Sequence, residues 1–273
     1  MNVVTLGPAG TYSHRAARAV ADDVAFRESV TAIVESVSSG EFDRGVVPIE
    51  NSIEGSVTES LDALADEEVA VVEEIVTPIR HALLAQAEDF DVVASHSQAL
   101  AQCRTYLERE YPDVDQEAVA STARGVERAR SDASVAGIGH PDNAEPIDGE
   151  GTTLRVLAED IQDRSSNATR FLVIAPATER SRAGGKTTLI VYPDANYPGL
   201  LLEMLEAFAD RDVNLSRVES RPSGNRLGDY LFHFDIEAGL YEPRTQAALE
   251  TLEGIAENGW VRVLGSYDTT HVV

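Results

Sequence analysis

The chain has 273 residues, of which 22 are basic and 47 acidic, so its formal net charge is −25 at pH 7. So strong a negative charge repels nucleic acids and anionic membranes, and we expect neither as a partner. The only cysteine, Cys103, excludes an intrachain disulfide and a cluster of cysteine ligands around a metal.

Short apolar runs alternate with helical patterns through the first half of the chain. Strands are predicted at 3–6, 45–49, 69–76, 81–84, 92–94, 118–120 and 135–138, and helices at 12–20, 57–64, 98–110 and 123–130. This alternation predicts an α/β architecture with mostly parallel strands. Ligands of such folds bind where strand ends meet helix N-termini.

A polar, glycine-rich segment at Arg180–Gly185 is predicted to be a linker. Beyond it, strand, helix, strand, strand, helix and strand are predicted at 187–191, 201–208, 214–219, 230–236, 247–255 and 261–264. This βαββαβ order is that of a ferredoxin-like module.

Residues 166–171 (SNATRF) place a hydroxyl, a guanidinium and an aromatic ring on consecutive positions. They lead into the apolar run 172–175, which is predicted to be a buried strand. A polar cluster at a strand entrance suits a site that binds a small anion and gives it a proton. An ordinary loop-to-strand turn, capped by serine and asparagine, is the alternative.

Other predicted strand-to-helix turns carry small hydroxyl or amide side chains, namely Thr11, Ser13, Asn51, Ser52, Ser95, Ser97, Ser121 and Thr122. The N-terminus of a helix presents unpaired N–H groups and a partial positive charge, which suit a carboxylate. Ordinary N-capping is the alternative at each turn.

Arginine supplies nearly all of the positive charge, because Lys186 is the only lysine. Many carboxylates with almost no lysine are typical of a protein that is soluble in concentrated salt, so we expect a halophilic source. The N-terminus has no basic stretch followed by an apolar core, and no apolar run is long enough to span a membrane. We therefore expect a soluble, cytoplasmic protein.

Four stretches together resemble the prephenate dehydratase family: 6–13 (LGPAGTYS), 47–55 (VPIENSIEG), 96–103 (HSQALAQC) and 169–171 (TRF). In the second module, 197–201 (YPGLL) and 219–222 (ESRP) resemble the ACT regulatory domain that is often fused to these enzymes. The resemblance covers nearly the whole chain.

The resemblance implies a catalytic domain at 1–178 with two lobes, like a periplasmic binding protein, and a ferredoxin-like ACT domain at 186–273. Lobe 1 is expected at about 1–77 and 157–178, and lobe 2 at about 78–156. The substrate would bind in the cleft between the lobes.

The implied reaction is the decarboxylating dehydration of prephenate to phenylpyruvate in phenylalanine biosynthesis, with no metal or organic cofactor. We expect Thr169 to be catalytic, through a hydrogen bond to the leaving hydroxyl. The candidates for substrate binding are Asn51, Ser52, Ser121, Thr122, Asn167, Arg170 and Phe171. A clamp on the departing carboxylate would oppose decarboxylation, so Arg170 should hold the pyruvyl carboxylate or else be structural. Strand alternation also predicts that Arg170 faces away from Thr169.

The ACT resemblance implies feedback by phenylalanine in a homodimer or homotetramer. The candidate effector-binding residues are Gly199, Leu200, Leu201, Asn214, Leu215, Ser216, Glu219, Ser220, Arg221 and Pro222. The alternative is that these residues only shape the module and its dimer contact. Leu200 stands where the family usually has alanine, and Ser97 where it usually has proline.

Two other functions stay open at this point. Arogenate dehydratase would act on a substrate in which an amine replaces the keto group. A non-catalytic amino-acid sensor would share both modules, although the intact Thr169 argues against it.

Overall fold

The structure is a computed structural model that describes residues 1–147, 149, 151–180 and 183–272. The predicted linker includes Ser181 and Arg182, which lie outside the described residues. The strands of the described chain are β1 (Val3–Leu6), β2 (Val24–Arg27), β3 (Arg44–Asn51), β4 (Gly55–Ser56), β5 (Val69–Pro78), β6 (Ala82–Ala85), β7 (Val92–His96), β8 (Asp115–Val119), β9 (Val135–Gly139), β10 (Arg155–Ala158), β11 (Ala168–Pro176), β12 (Lys186–Tyr192), β13 (Leu215–Pro222), β14 (Tyr230–Ile236), β15 (Trp260–Tyr267) and β16 (Thr269–His271).

The helices are α1 (Tyr12–Arg18), α2 (Val30–Ser38), α3 (Thr58–Asp66), α4 (Ser97–Gln102), α5 (Arg104–Glu110), α6 (Thr122–Ser131), α7 (Leu200–Ala209) and α8 (Pro243–Ile255), with short 3-10 helices at Pro141–Ala144 and Ala177–Glu179. Hydroxyl caps begin two of the helices that follow strands: the Thr11 side chain accepts from the His14 N–H, and Ser121 accepts from the Arg124 N–H. Within the described residues, no helix is long and apolar enough to cross a membrane.

Three sheets organise the described chain. The first has the order β16-β5-β11-β3-β1-β2, with β4 on β3, the second β10-β6-β9-β7-β8, and the third β13-β14-β12-β15. The prediction of mostly parallel strands is wrong for the first two sheets, which are both mixed. In the first sheet β11 runs antiparallel to both β3 and β5, where the chain returns to it. In the second sheet β6 runs antiparallel to both β9 and β10.

The crossings between the first two sheets differ in part from the prediction. Strand β5 ends at Pro78 and β6 begins at Ala82, close to the predicted crossing. The predicted return near Leu157 is too early, because Leu157 lies in β10 and packs against the core of the second sheet. The chain therefore returns over residues 159–167.

Several other elements differ from the sequence prediction. The pattern did not predict β2, α2, β4, β10 or β16. The helix predicted over 98–110 is two helices, α4 and α5, that meet at Cys103. Cys103 is buried with Leu100 and Leu107 in one cluster, so the break lets both helices bury their apolar faces in the same core.

The third sheet and its helices α7 and α8 form the predicted βαββαβ module. One face of this sheet packs on α7 and α8. The other face joins the core of the first sheet, where Leu231 and Leu264 cluster with Val47 and Leu61.

Two backbone features fix the module against the first sheet. A Cβ added at Gly265 would lie 2.0 Å from the Val71 carbonyl oxygen, so β15 approaches β5 at a distance that only glycine allows. After β15 the chain leaves the module, and β16 pairs in parallel with β5, with Thr269 opposite Glu74. The last strand therefore completes the first sheet rather than the module.

Candidate active site

A cavity of about 230 Å³ lies between the first and second sheets. Its walls are formed by β3, β11, the crossing at 79–81 and the first turns of α1, α4 and α6. It brings together six of the residues that the sequence predicted for substrate binding or catalysis: Asn51, Ser121, Thr122, Asn167, Thr169 and Phe171.

Strand β11 supplies two of these side chains by simple alternation. Thr169 and Phe171 line the cavity, whereas Arg170 between them faces the other side of the sheet. The register against β3 shifts between Arg170 and Phe171, so a β-bulge lies beside Thr169.

The orientation of the Asn51 amide is determined by its backbone neighbours. Its Oδ1 accepts from the N–H groups of Ile53 (3.0 Å) and Glu54 (3.2 Å). Nδ2 must therefore be the donor that lies 3.0 Å from Thr169 Oγ1 and 3.1 Å from Asn167 Oδ1. Among the described residues, no acceptor lies within reach of the Thr169 proton, so this proton can be donated to a ligand in the cavity.

The same hydrogen-bond chain continues into the second lobe. Asn167 Nδ2 donates to Gln102 Oε1 at 3.0 Å, and His81 Nε2 lies 2.9 Å from the same oxygen. Because Gln102 Oε1 is an acceptor, His81 Nε2 carries a hydrogen. Burial lowers the pKa of His81, which favours the neutral ring.

Tyr12 ends this chain on the side of the first lobe. Its hydroxyl donates to the Arg80 carbonyl oxygen and lies 3.5 Å from His81 Nδ1. Burial raises the pKa of Tyr12 well above its usual range, so the phenol stays protonated.

Sequence reasoning missed Gln98 and Gln102 as lining residues. Both belong to α4 and its 96–103 motif, and their spacing of four residues puts them on one face of the helix. That spacing could have predicted from the sequence that both side chains face the same site. His96 begins the helix, where its Nδ1 accepts from the Gln98 N–H at 3.4 Å, so its ring acts as a cap partner.

The side chains that line the cavity are mostly uncharged. Of the described residues that line it, none is lysine or arginine. Glu54, the one carboxylate among them, accepts from the Gln98 amide across the cleft, and burial raises its pKa. The ten-residue helix α6, which begins after Ser121, directs the positive end of its dipole at the cavity.

Two predicted substrate-binding residues lie outside the cavity. The guanidinium of Arg170 lies among three carboxylates, those of Glu50, Glu74 and Asp235. This contradicts a substrate contact and leaves the structural alternative. The Ser52 hydroxyl accepts from the Ala168 N–H and donates to the Ser166 carbonyl, so it holds the loop before β11 instead.

An open groove of about 490 Å³ lies on the βαββαβ module. Four of the predicted effector residues line it: Gly199, Leu200, Leu201 and Ser220. Gly199 has a φ of 101°, which favours glycine at the start of α7. Tyr197, Tyr230 and Phe232 add aromatic surface to the lining, which also includes Asn196, Leu202 and Leu205.

The remaining predicted effector residues are not in this groove. Glu219 accepts from the Ser56 hydroxyl at 2.8 Å, and Arg221 makes two bonds of 2.9 and 2.8 Å to Asp62, so both face the first lobe. The other four lie along or beside β13: Asn214, Leu215, Ser216 and Pro222.

The fold and the cavity define a two-lobed α/β protein with a cavity between its lobes. The family model described as prephenate dehydratase matches residues 3–179. A prephenate dehydratase of Bacillus subtilis is 34% identical over 288 residues, covering 98% of this chain and 99% of that protein. A bifunctional chorismate mutase/prephenate dehydratase of Aquifex aeolicus is 36% identical, covering 98% of this chain and 73% of that protein. The chain therefore belongs to the prephenate dehydratase family.

Solved structures agree with this assignment. A prephenate dehydratase of Arthrobacter aurescens in complex with L-Phe has a TM-score of 0.87 at 35% identity, covering 98% of this chain and 90% of that one. A protein described as GqqA, a quorum-quenching acylase, has a TM-score of 0.84 at 24% identity, covering 99% and 98%. At that identity the likeness concerns the fold alone.

Proposed function

We propose that the protein catalyses the decarboxylating dehydration of prephenate to phenylpyruvate, water and carbon dioxide in phenylalanine biosynthesis. Family membership supports the reaction. The observation that carries it is the Thr169 hydroxyl, whose oxygen accepts from Asn51 and whose proton faces the cavity without a protein acceptor among the described residues.

The reaction needs help for the departing hydroxyl, since formation of an aromatic ring already drives it. Thr169 donates its hydrogen bond to that hydroxyl and orients it. An unperturbed threonine is a weak acid, so Thr169 positions or relays the proton rather than supplying it alone.

The absence of lysine and arginine from the described lining suits the loss of carbon dioxide. A cation paired with the departing ring carboxylate would stabilise the substrate more than the transition state. The retained pyruvyl carboxylate can be bound at the N-terminus of α6, beside Ser121 and Thr122.

We propose that the βαββαβ module is an ACT domain and that its groove binds phenylalanine as a feedback effector. The mixture of aromatic, leucine and glycine surface suits an apolar amino acid. The groove is open to solvent, and Leu201, Leu202 and Tyr230 beside it are exposed, so a second copy would cover them in a homodimer or homotetramer. We also propose that the protein is cytoplasmic, because the proposed reaction belongs to amino-acid biosynthesis.

A high-salt habitat is proposed from the charge alone. At −25, the folded chain repels itself, and salt shortens the range of that repulsion from about 10 Å at 0.1 M to about 3 Å at 1 M. The melting temperature should rise as KCl is raised through this range. A melting temperature that is constant or falls would contradict halophilic adaptation.

The proposed reaction is tested by incubating purified protein in concentrated KCl with prephenate, and in parallel with arogenate, and measuring phenylpyruvate and phenylalanine. Phenylpyruvate from prephenate, suppressed by added phenylalanine, is the expected result. Turnover of arogenate alone would reassign the substrate, and binding of prephenate without product would favour a sensor.

A further inference from the structure

Arg170 connects the strand that carries Thr169 with the C-terminal module. Its Nη2 lies 3.0 Å from Asp235 Oδ2 on β14 and 2.5 Å from Glu74 Oε2 on β5. Its Nη1 lies 2.8 Å from Glu50 Oε2 on β3. A single guanidinium therefore joins strands of the first sheet to a strand of the third.

Asp235 is held rigidly inside the module. It is completely buried, and it accepts from Arg217 Nε at 2.7 Å and from the Thr188 hydroxyl at 2.8 Å. Burial alone would raise its pKa, but the charges of Arg217 and Arg170 hold the pKa of Asp235 well below its usual range. Arg170 thus meets a fixed negative charge that belongs to the module.

The position of Arg170 makes this charge relevant to the cavity. Arg170 follows Thr169 directly on β11, so a shift of the guanidinium anchor moves the backbone that carries the Thr169 hydroxyl. On β14, Phe232 lies three residues before Asp235 and on the opposite face, where it lines the groove of the module. The groove and Thr169 are therefore separated by one strand and one ion pair.

We propose that Asp235 is a positioning residue that acts through Arg170 to set the place of the Thr169 hydroxyl, and that an effector in the groove alters this hold through β14. The inference rests on the proposed function. It assigns to the module a part in basal catalysis as well as in regulation.

The test is Asp235→Asn, which keeps the shape of the side chain and removes its charge. We expect kcat with prephenate to fall roughly 10- to 100-fold, the size of effect that a small misplacement of a reacting group produces, while KM changes by less than about twofold. The response to phenylalanine should be lost with it. If Asp235 serves stability alone, the variant should have a lower melting temperature, and kcat should not fall while KM stays nearly constant.

Asp229→Asn is the matched control. Asp229 is buried in the same module and bonds to Ser223 and Tyr192, but it does not contact Arg170. Its variant should keep the wild-type kcat. An equal loss of kcat in this control would overturn the inference.

A double-mutant cycle with Arg170→Gln tests the route. If Asp235 acts through Arg170, adding Asp235→Asn to Arg170→Gln should change kcat by less than about twofold further. Effects that multiply, or an Asp235→Asn enzyme with kcat within about twofold of wild type, would overturn the inference.

Two outcomes outside the cycle are also informative. If Asp235→Asn does not fold, Thr188→Val removes one bond to the same carboxylate and should lower kcat in the same direction; an unchanged kcat there counts against the inference. If the wild type does not turn over prephenate, the proposed function is wrong. If the wild type is active and the Asp235→Asn variant is equally active, only the proposed role of Asp235 is wrong.

Discussion

Two backbone N–H groups, those of Ile53 and Glu54, determine the hydrogen-bond direction of the candidate site. They occupy the Asn51 carbonyl oxygen, so the Asn51 amide nitrogen must donate to Thr169. Thr169 then keeps its own proton for the cavity. The chemistry that we propose depends on this direction as much as on the presence of the threonine.

Asn51→Asp tests the direction of this hydrogen bond, because it replaces the amide nitrogen with an oxygen and keeps the shape of the side chain. Both carboxylate oxygens of the variant are acceptors, so the Thr169 proton would be donated to residue 51 rather than to the substrate. We expect kcat to fall roughly 10- to 1000-fold, the range that covers lost hydrogen-bond and proton-transfer assistance, with the fold intact by circular dichroism. Asn225→Asp, on an exposed loop of the module, adds the same charge and should leave kcat unchanged. Equal rates for the two variants would contradict the assigned direction.

The sequence predicted the residue types of the site better than their partners. Asn51, Asn167 and Thr169 line one cavity. The resemblance of their motifs to one family implied this, and local strand and turn patterns did not, because Asn51 is 116 and 118 residues from the other two. Arg170 could not be placed, because two of its partners are 96 and 65 residues away along the chain. Alternation predicted that it faces away from Thr169, but not that buried carboxylates lie on that side. The catalytic and binding roles remain predictions.

At the scale of elements, close packing of α6 on β7 positions one wall of the cavity. A Cβ added at Gly125 in α6 would lie 2.3 Å from the Ala94 carbonyl oxygen. The helix can rest at this distance only because residue 125 is glycine. Its first residues, Ser121 and Thr122, reach the cavity as a consequence.

Gly125→Ala should therefore move α6 away from the sheet. We expect a loss of about 1–3 kcal/mol in the free energy of unfolding, measured by denaturant titration, and a higher KM for prephenate. Gly254→Ala is the matched control, because Gly254 lies in α8 with open space around it. That variant should gain up to about 1 kcal/mol from helix propensity. A Gly125→Ala protein as stable as this control would show that α6 is not held by the close approach.

The βαββαβ order and most strands and helices could be predicted from hydrophobic periodicity, but β10 and β16 could not. β16 has three residues and β10 has four, and in each strand two residues are exposed. Both are strands because of the sheet edge that they meet, and that edge is formed by distant residues. The mixed direction of the first sheet has the same origin, since it depends on where the returning chain enters.

At the scale of the whole molecule, the C-terminal module is packed against the first lobe through a buried polar face. His233 on this face is completely buried, and neither ring nitrogen has a hydrogen-bond partner among the described residues. Burial, with the nearby charge of Arg217, lowers the pKa of His233 to about 3.

This pKa predicts a dependence of stability on pH. Below the ordinary histidine pKa of about 6.5, the unfolded chain binds a proton that folded His233 does not, so the free energy of unfolding falls as pH falls from about 6.5 toward 3. Carboxylates with lowered pKa values, such as Asp235 and Glu74, lose their stabilisation progressively below about pH 5. The change in stability between about pH 5 and 6.5 therefore comes mainly from the histidines.

His233→Leu should reduce the slope in that range by up to about 1.4 kcal/mol for each pH unit, measured by denaturant titration at constant salt. The control is His271→Gln, an exposed histidine in β16, which should keep the wild-type slope. If the free energy of unfolding has the same slope against pH in His233→Leu and wild type, the pKa of His233 is not lowered by burial as stated.

The role of the Thr169 hydroxyl is tested most directly by comparing Thr169→Val with Thr169→Ser in steady-state turnover of prephenate in concentrated salt. Valine keeps the shape of the side chain without its hydroxyl, whereas serine keeps the hydroxyl. Valine should lower kcat by roughly 100-fold or more, whereas serine should retain most of it. A valine enzyme with the wild-type kcat would contradict the role of the Thr169 proton, on which the proposed mechanism depends.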